Sequence, residues 1–205
     1  MILAIDTATP ACSAALIGGD GRLLGERHDV VGRGHAERLL PMVAELLDGG
    51  VPDAILVDRG PGSFTGVRVG LAAARGLAIG WRVPVHGFSS LALIAATALA
   101  APDAPDTLAV AIGGGHGELF VQRFARAPFA ALGELRSLTP EAAAAACPDA
   151  HVIGSGATAL VAARGHGEAA DALPRAACVT LLPDAFARLP ATPLYGRAPD
   201  AKLPA

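Results

Sequence analysis

One pattern occurs near the start of each half of the chain: two short apolar runs joined by a tight turn. It reads AIDTATPACSAALI from residue 4 and AIGGGHGELFVQRF from residue 111, with little identity between the two. Short apolar runs bounded by Gly, Pro or Asp predict strands, and apolar residues three or four positions apart predict helices. Both halves continue with strands and helices, so the sequence predicts an α/β protein built from two related lobes.

The lobes are expected to meet at residues 101–106, where two prolines and two acids interrupt both periodicities. We predict an N-terminal lobe at 1–101, a smaller C-terminal lobe at 107–192 and an irregular tail at 193–205. Strands are predicted at 2–6, 12–17, 22–28, 54–58, 83–86, 108–112, 119–124, 135–138 and 151–154. Helices are predicted at 36–47, 65–79, 90–101, from 140 onward and at 157–164, with Pro41 kinking the first or marking its first turn.

Composition excludes several classes of protein. Hydrophobic residues make up 52% of the chain, yet the longest largely apolar run, at 91–101, is shorter than the roughly 18 residues of a membrane span. The N-terminus lacks the basic region of a secretory signal, and three unpaired cysteines fit a reducing compartment, so we expect a cytoplasmic protein. The net charge is −3 with no basic stripe, so the chain alone is not expected to bind nucleic acid.

The most distinctive stretch is GPGSFTGVRVGLAAARGLA at residues 60–78. A glycine-rich turn before a helix can hold a phosphate on free backbone N–H groups. No lysine follows, however, as a Walker loop requires. The alternative is close packing, because small side chains recur along one face of the helix and let another element approach. Packing is the favoured interpretation, and the phosphate alternative stays open.

Other chemical motifs are missing or ambiguous. The six histidines show no metal-binding spacing, and no GxSxG nucleophile motif is present. Arg68 and Arg75 lie two turns apart on a neighbouring face of the helix at 65–79. They are either solvated or available to an anionic group of a partner.

Several segments together resemble the TsaB (YeaZ) family over nearly the whole chain. They are AIDTATPACSAALI, HAERLLPMVAELL, AILVDRGPGSFTGVRVGLAAARGLA, VPVHGFSSLALIA, GELF, VIGSGA and PLYGRAPDAK. The resemblance implies an actin-like fold, shared with sugar kinases and heat-shock chaperones, in which two related α/β lobes have mixed sheets flanked by helices. It also implies a role in forming N6-threonylcarbamoyladenosine in tRNA.

The resemblance further implies that the chain is not itself the catalyst. TsaB-type proteins bind and activate the paralogous threonylcarbamoyltransferase TsaD, are joined by the ATPase TsaE, form homodimers when alone, and contact tRNA through the complex. TsaD holds a metal partly through an NHLEGH segment, and this chain has Ser90 and Ile94 in place of its two histidines. We therefore expect no catalytic, metal-binding or cofactor-binding residue, with ATP or ADP at the TsaD interface left open.

The partner interface implied by the resemblance lies on the helices at 36–47 and 65–79. The expected interface residues are Ala36, Leu40, Val43, Leu47, Gly66, Val67, Gly70, Leu71, Ala74 and Leu77, with Arg68 and Arg75 as interfacial arginines. An alternative is an independent ATPase or kinase of the actin-like class, which Asp6, at the end of the first strand, and the glycine-rich turns favour. A hydrolase lacks any supporting nucleophile or metal motif.

Overall fold

The computed structural model describes residues 1–196, and the elements below lie within them. The strands are β1 Ile2–Asp6, β2 Ala11–Ile17, β3 Leu23–Val30, β4 Ala54–Asp58, β5 Val85–Phe88, β6 Thr107–Gly115, β7 Glu118–Ala125, β8 Ala130–Ala131, β9 Arg136–Leu138, β10 His151–Ile153 and β11 Glu168–Ala170. The helices are α1 His35–Leu47, α2 Phe64–Trp81, α3 Ser90–Leu99, α4 Pro140–Ala146, α5 Ala157–Arg164 and α6 Asp184–Ala187, with a 3₁₀-helix at Ala176–Leu181.

The first sheet has the strand order β3-β2-β1-β4-β5. Strands β1, β2 and β3 form an antiparallel meander, whereas β4 and β5 run parallel to β1. Parallel neighbours require crossover connections, and α1 and α2 provide them. Apolar residues recur three or four positions apart along α1 and form one side of the helix. Leu39, Met42 and Val43 on that side are buried against the sheet, which is why α1 packs there.

The second sheet repeats this plan. Its order is β11-β10-β6-β7-β8, and β9 also pairs with β7. Strands β6 and β7 form the antiparallel hairpin, and β10 and β11 run parallel beside β6 after the crossovers α4 and α5. The predicted duplication of one α/β lobe is therefore confirmed.

The lobes stack as five layers. Helices α1 and α2 cover the outer face of the first sheet, and α4 and α5 cover the outer face of the second. Helix α3 lies between the sheets, and its residues Leu91 and Ile94 share one core cluster with Phe88 and Phe124. A helix buried on all sides must be apolar all round, which is why the segment SLALIAATAL shows no polar face.

The predicted strands and helices are found with end shifts of a few residues. Pro41 lies in the second turn of α1 with its ring exposed, rather than in the first turn. Strand β11 was not predicted, because its exposed sequence EAA has no strand pattern and it forms only where β10 offers an edge. No helix within residues 1–196 combines the length and hydropathy that a bilayer crossing requires.

The C-terminal part of the chain returns to the first lobe. The N–H of Ala176 donates to Ser13 Oγ at 2.9 Å, and Leu189 pairs with Gly87 beside β5. Residues 193–196 are irregular, and the rest of the predicted tail lies outside the described residues. The lobe boundary at 101–106 falls in the loop after α3, and the division into two domains stays a prediction.

Candidate functional site

The glycine-rich turn at residues 60–63 packs against the turn at residues 7–10. The N–H of Ser63 donates to the carbonyl of Ala8 at 2.7 Å, and the Thr7 hydroxyl donates to the carbonyl of Gly66 at 2.7 Å. A Cβ atom would lie 2.2 Å from the Ala8 oxygen at Gly62 and 2.1 Å from the Thr7 oxygen at Gly66. These glycines therefore permit close approach, as the packing interpretation requires.

The neighbour in that contact belongs to the same chain, whereas the resemblance implied a helix of a partner. At Gly70 a Cβ would lie 2.5 Å from Thr7 Oγ1, so the small face of α2 meets strand β1 and its turn in the same chain. Other predicted interface residues are buried against their own sheet, namely Val43, Leu47, Val67, Leu71 and Ala74. Seven of the ten thus have little or no surface left for a partner, because they form the core of the first lobe.

The surface that α1 and α2 do present is a different set of residues, which we call the outward helix face. Its members are exposed and recur every three or four positions: Ala36, Leu40, Ala44, Ala72, Gly76, Ile79 and Gly80. Leu40 is 50% exposed and Ile79 is 80% exposed. Ala36 and Leu40 were predicted, and Leu77 is half-buried at its edge. The interface itself stays a prediction, now centred on this face.

Arg68 and Arg75 contact the C-terminal segment of the same chain. The Arg68 Nε–H donates to the Tyr195 hydroxyl at 3.1 Å, and its guanidinium carbon lies 3.4 Å from the ring centroid of Phe64. Arg75 donates to the carbonyl of Ala191 at 2.7 Å. Both arginines hold residues 191–195 against α2, a role that the sequence analysis did not foresee.

Two carboxyl groups lie buried beneath the paired turns. Asp6 ends β1 and Asp58 ends β4, and they are 0% and 1% exposed. Asp58 Oδ1 accepts hydrogen bonds from the Gly60 N–H at 2.8 Å and from the Ser90 hydroxyl. Asp6 Oδ1 accepts from the Ala8 N–H at 3.1 Å. The second oxygen of each carboxyl is buried without a hydrogen-bond partner.

Burial and mutual repulsion favour the protonated forms of this acid pair. Desolvation raises the pKa of Asp6 well above its ordinary value, and the nearby charge of Asp58 raises it further. Desolvation also raises the pKa of Asp58 to about 7, against the lowering effect of the Ser90 and Gly60 hydrogen bonds. Because both carboxyls are buried under the paired turns, they are poorly placed to hold a metal ion or a phosphate-bound cation.

A cleft lies above the acid pair, between the lobes. Its volume is about 730 Å³, and its lining comes from the carboxyl ends of strands in both sheets, from the start of α2 and from residues 195–196. The lining includes Pro10, Ser63, Phe64, Phe120 and Tyr195. Asp6 and Asp58 are not among the residues that line it. The cleft and the acid pair are thus separated by the packed turns.

The positions that resemblance assigned to metal histidines have other roles. Ser90 is fully buried and bonds Asp58, and Ile94 packs in the core between the sheets. Within residues 1–196 no group of three or more His, Cys, Asp or Glu side chains is placed to hold a metal ion. The residues present therefore do not fit a metal held as in TsaD.

Sequence reasoning identified Asp6 but missed its neighbour. A usable signal existed, since Asp58 ends a second apolar strand, and the carboxyl ends of parallel strands meet at one edge of a sheet. The contact of Arg68 with Tyr195 had no such signal, because the two residues are 127 positions apart.

The chain has the architecture of an actin-like α/β protein. It has two lobes of the same plan, a helix between their sheets and a cleft at the carboxyl ends of their strands. A family model described as TsaD: tRNA N6-adenosine threonylcarbamoyltransferase matches residues 29–173. YeaZ from Pseudomonas aeruginosa is 33% identical and covers 95% of this chain and 98% of its own, with a TM-score of 0.77. The chain belongs to the TsaB (YeaZ) family.

Two further relatives agree with this assignment. An uncharacterized Pseudomonas aeruginosa protein with similarity to peptidase YeaZ is 34% identical, over 96% of this chain and 99% of its own, with a TM-score of 0.80. The tRNA threonylcarbamoyladenosine biosynthesis protein TsaB of Escherichia coli K12 is 42% identical over 130 residues, 61% of this chain and 55% of that protein. The matched segments thus span about half the length of the curated TsaB relatives.

Proposed function

We propose that this chain is a non-catalytic subunit in the formation of threonylcarbamoyladenosine in tRNA, and that it binds and activates the transferase TsaD through the outward helix face. The similarity to the tRNA threonylcarbamoyladenosine biosynthesis protein of Escherichia coli supports the pathway. The observation that carries the binding role is the exposed apolar surface of α1 and α2. Leu40 and Ile79 stand on it among small residues spaced four apart.

The composition of this face suits a close helix-to-helix contact. Glycine in an exposed helix costs about 1 kcal/mol relative to alanine, and Gly76 and Gly80 both occupy such positions with open space around them. A partner helix that packs on them gains close contact in return, because no Cβ atom keeps the backbones apart. Ile79 between them supplies an apolar side chain to bury.

TsaD is the partner that the comparisons favour. The TsaD family model itself matches residues 29–173, a span that includes α1 and α2. A paralogue with equivalent helices can offer a matching face, so that two helix pairs pack around a pseudo-twofold axis. A second copy of this chain would use the same face in a homodimer. We propose that TsaE joins this complex and that tRNA is contacted through it, since the chain carries a net charge of −3.

The non-catalytic part of the proposal is supported by the buried acid pair. Asp6 and Asp58 have no contact with the cleft, and Ser90 and Ile94 replace the histidines of the TsaD segment. The competing function is an independent ATPase or kinase, for which the cleft is the structural feature in favour. Calorimetry with ATP and magnesium separates the two, because tight binding with turnover by the isolated chain would support the enzyme. ATP or ADP at the TsaD interface remains part of the proposal to be tested.

The decisive test is complex formation with TsaD from the same organism. Ile79→Arg places a charge at the most exposed large apolar side chain of the outward helix face and is expected to weaken the complex at least tenfold, because a charge buried without a partner is costly. Val51→Arg is the matched control, since Val51 is 52% exposed and lies outside that face. Light scattering of the mixtures gives the mass of the complex.

Activity completes the test. Wild-type chain and the control should support multiple turnovers of tRNA modification by TsaD, whereas Ile79→Arg should not. Full multi-turnover modification by TsaD alone would refute the activating role. Equal affinity of both variants would refute the assigned surface.

A further inference from the structure

The cleft between the lobes is lined mainly by apolar residues and glycines, with His116 among the other lining residues. Among the described residues that line it, none is Asp, Glu, Lys or Arg. Two N–H groups of the turn below are occupied, since Ser63 donates to Ala8 and Gly66 donates to the Ser63 hydroxyl at 3.2 Å. A phosphate is held best by cations or free N–H groups, and the lining itself supplies no lysine or arginine side chain. The volume of about 730 Å³ falls within the roughly 300–1,000 Å³ of small-molecule sites.

Two aromatic rings stand at the edge of this cleft. Phe64 is 49% exposed and Tyr195 is 41% exposed, with ring centroids 5.3 Å apart and a tilt of 33°. The guanidinium of Arg68 covers one face of Phe64 and also bonds the Tyr195 hydroxyl. The rings are therefore held in place by contacts within the chain while a large part of their surface stays exposed. Such a rigid pair is suited to stacking on a flat ligand.

The cleft also offers a backbone hydrogen-bond acceptor on strand β6, beyond the end of its neighbour β10. Strand β10 ends at Ile153, whereas β6 continues to Gly115. Past that end, the Ala111 carbonyl accepts from the Gly156 N–H at 2.9 Å, and the Gly113 N–H donates to Ser155 Oγ at 3.3 Å. Both backbone groups of one strand residue point to the same side, so the Gly113 carbonyl faces the gap beyond β10. Glycine in a strand is typical of places where a ligand approaches the backbone.

We propose that the cleft binds an uncharged, planar aromatic molecule of about nucleoside size. It stacks on Phe64 and Tyr195 and hydrogen-bonds the open edge of β6 near Gly113. No phosphoryl chemistry is expected, because the acid pair below is sealed from the cleft. This proposal concerns the cleft and does not depend on the outward helix face.

Titration calorimetry on the full chain, with adenosine as the probe, tests the proposal. We expect one site per chain, and ATP with magnesium should bind no more tightly than adenosine. Phe64→Leu keeps an apolar side chain but removes the ring, and should weaken adenosine binding about tenfold. Phe64→Tyr keeps the ring and should bind like the wild type. Ile79→Ala, on the outward helix face, should leave adenosine binding unchanged. Thermal melting checks that each variant is folded.

Three results would overturn the proposal. The first is no detectable binding of adenosine at millimolar concentration. The second is binding that Phe64→Leu does not weaken, since the rings would then play no part. The third is ATP that binds at least tenfold more tightly than adenosine, which would indicate a phosphate site. Because Ile79 lies outside the cleft, failure here leaves the proposed TsaD contact untouched, and the reverse is also true.

Discussion

Replacing Asp58 by Asn should make the first lobe more stable at neutral and alkaline pH. The Asp58 carboxyl is buried, and its pKa is raised from an ordinary 3.8 to about 7. A raised pKa means that the folded state holds its proton over a range where the unfolded chain has lost it. The free energy of unfolding therefore falls as the pH rises from about 4 to about 7. Asn removes this titration while its Oδ1 can still accept from Gly60 and Ser90.

The size of the effect follows from the shift. At about 1.4 kcal/mol per pKa unit, the shift of Asp58 corresponds to an upper value of about 4 kcal/mol at pH 8. The amide also donates toward Asp6, whose second oxygen has no partner, and it removes the like charge that raises the pKa of Asp6. We thus expect Asp58→Asn to exceed the wild type by about 2–4 kcal/mol at pH 8, and by much less at pH 5.

Urea denaturation followed by circular dichroism at several pH values between 5 and 8 measures both curves. Asp103→Asn, at an exposed position in the loop after α3, controls for net charge. Burial lowers the pKa of His28, which gives a pH slope of opposite sign in every variant, so the difference between curves cancels the His28 contribution and leaves that of the acid pair. A wild-type stability that rises from pH 5 to 7.5 by as much as that of Asp58→Asn would refute the reasoning.

Two further predictions concern glycines with opposite surroundings. Gly62→Ala should destabilise the chain by at least about 2 kcal/mol, because its Cβ would overlap a carbonyl in the neighbouring turn. Gly19→Ala is the control, since Gly19 has open space around it and the change should be nearly neutral in thermal and urea melts. Equal stability of the two variants would contradict the close-approach argument. Gly76→Ala should stabilise the isolated chain by about 0.5–1 kcal/mol and weaken its complex with TsaD, measured by urea denaturation and calorimetry. A complex unaffected by Gly76→Ala would argue against close helix contact at that point.

The two turns and the acid pair show how an actin-like lobe can keep its architecture with its carboxyls enclosed. Asp6 and Asp58 still end the central parallel strands, where open α/β sheets place functional groups. Their contacts, however, are Ser90 and backbone N–H groups within the lobe. The same positions thus serve packing rather than an exposed chemical site.

Local pattern was sufficient for much of this protein. Alternating strand and helix periodicities predicted two related α/β lobes. A helix was also predicted from residue 140, and α4 begins there, capped by the Thr139 hydroxyl, which accepts from the Ala142 N–H at 3.3 Å. The all-apolar segment of α3 agrees with its place between two sheets. These features depend on residues close together in the chain, so the sequence determines them directly.

Tertiary structure decided which surface each residue serves. A row of small residues on α2 signals close approach, but only the fold shows that Gly66 and Gly70 meet Thr7, whereas Gly76 and Gly80 face outward. The same holds for Arg68, whose partner Tyr195 comes from the far end of the described chain. Periodicity records which side chains are small, apolar or charged. It carries no information on contacts between distant segments, because those depend on how the lobes pack in three dimensions.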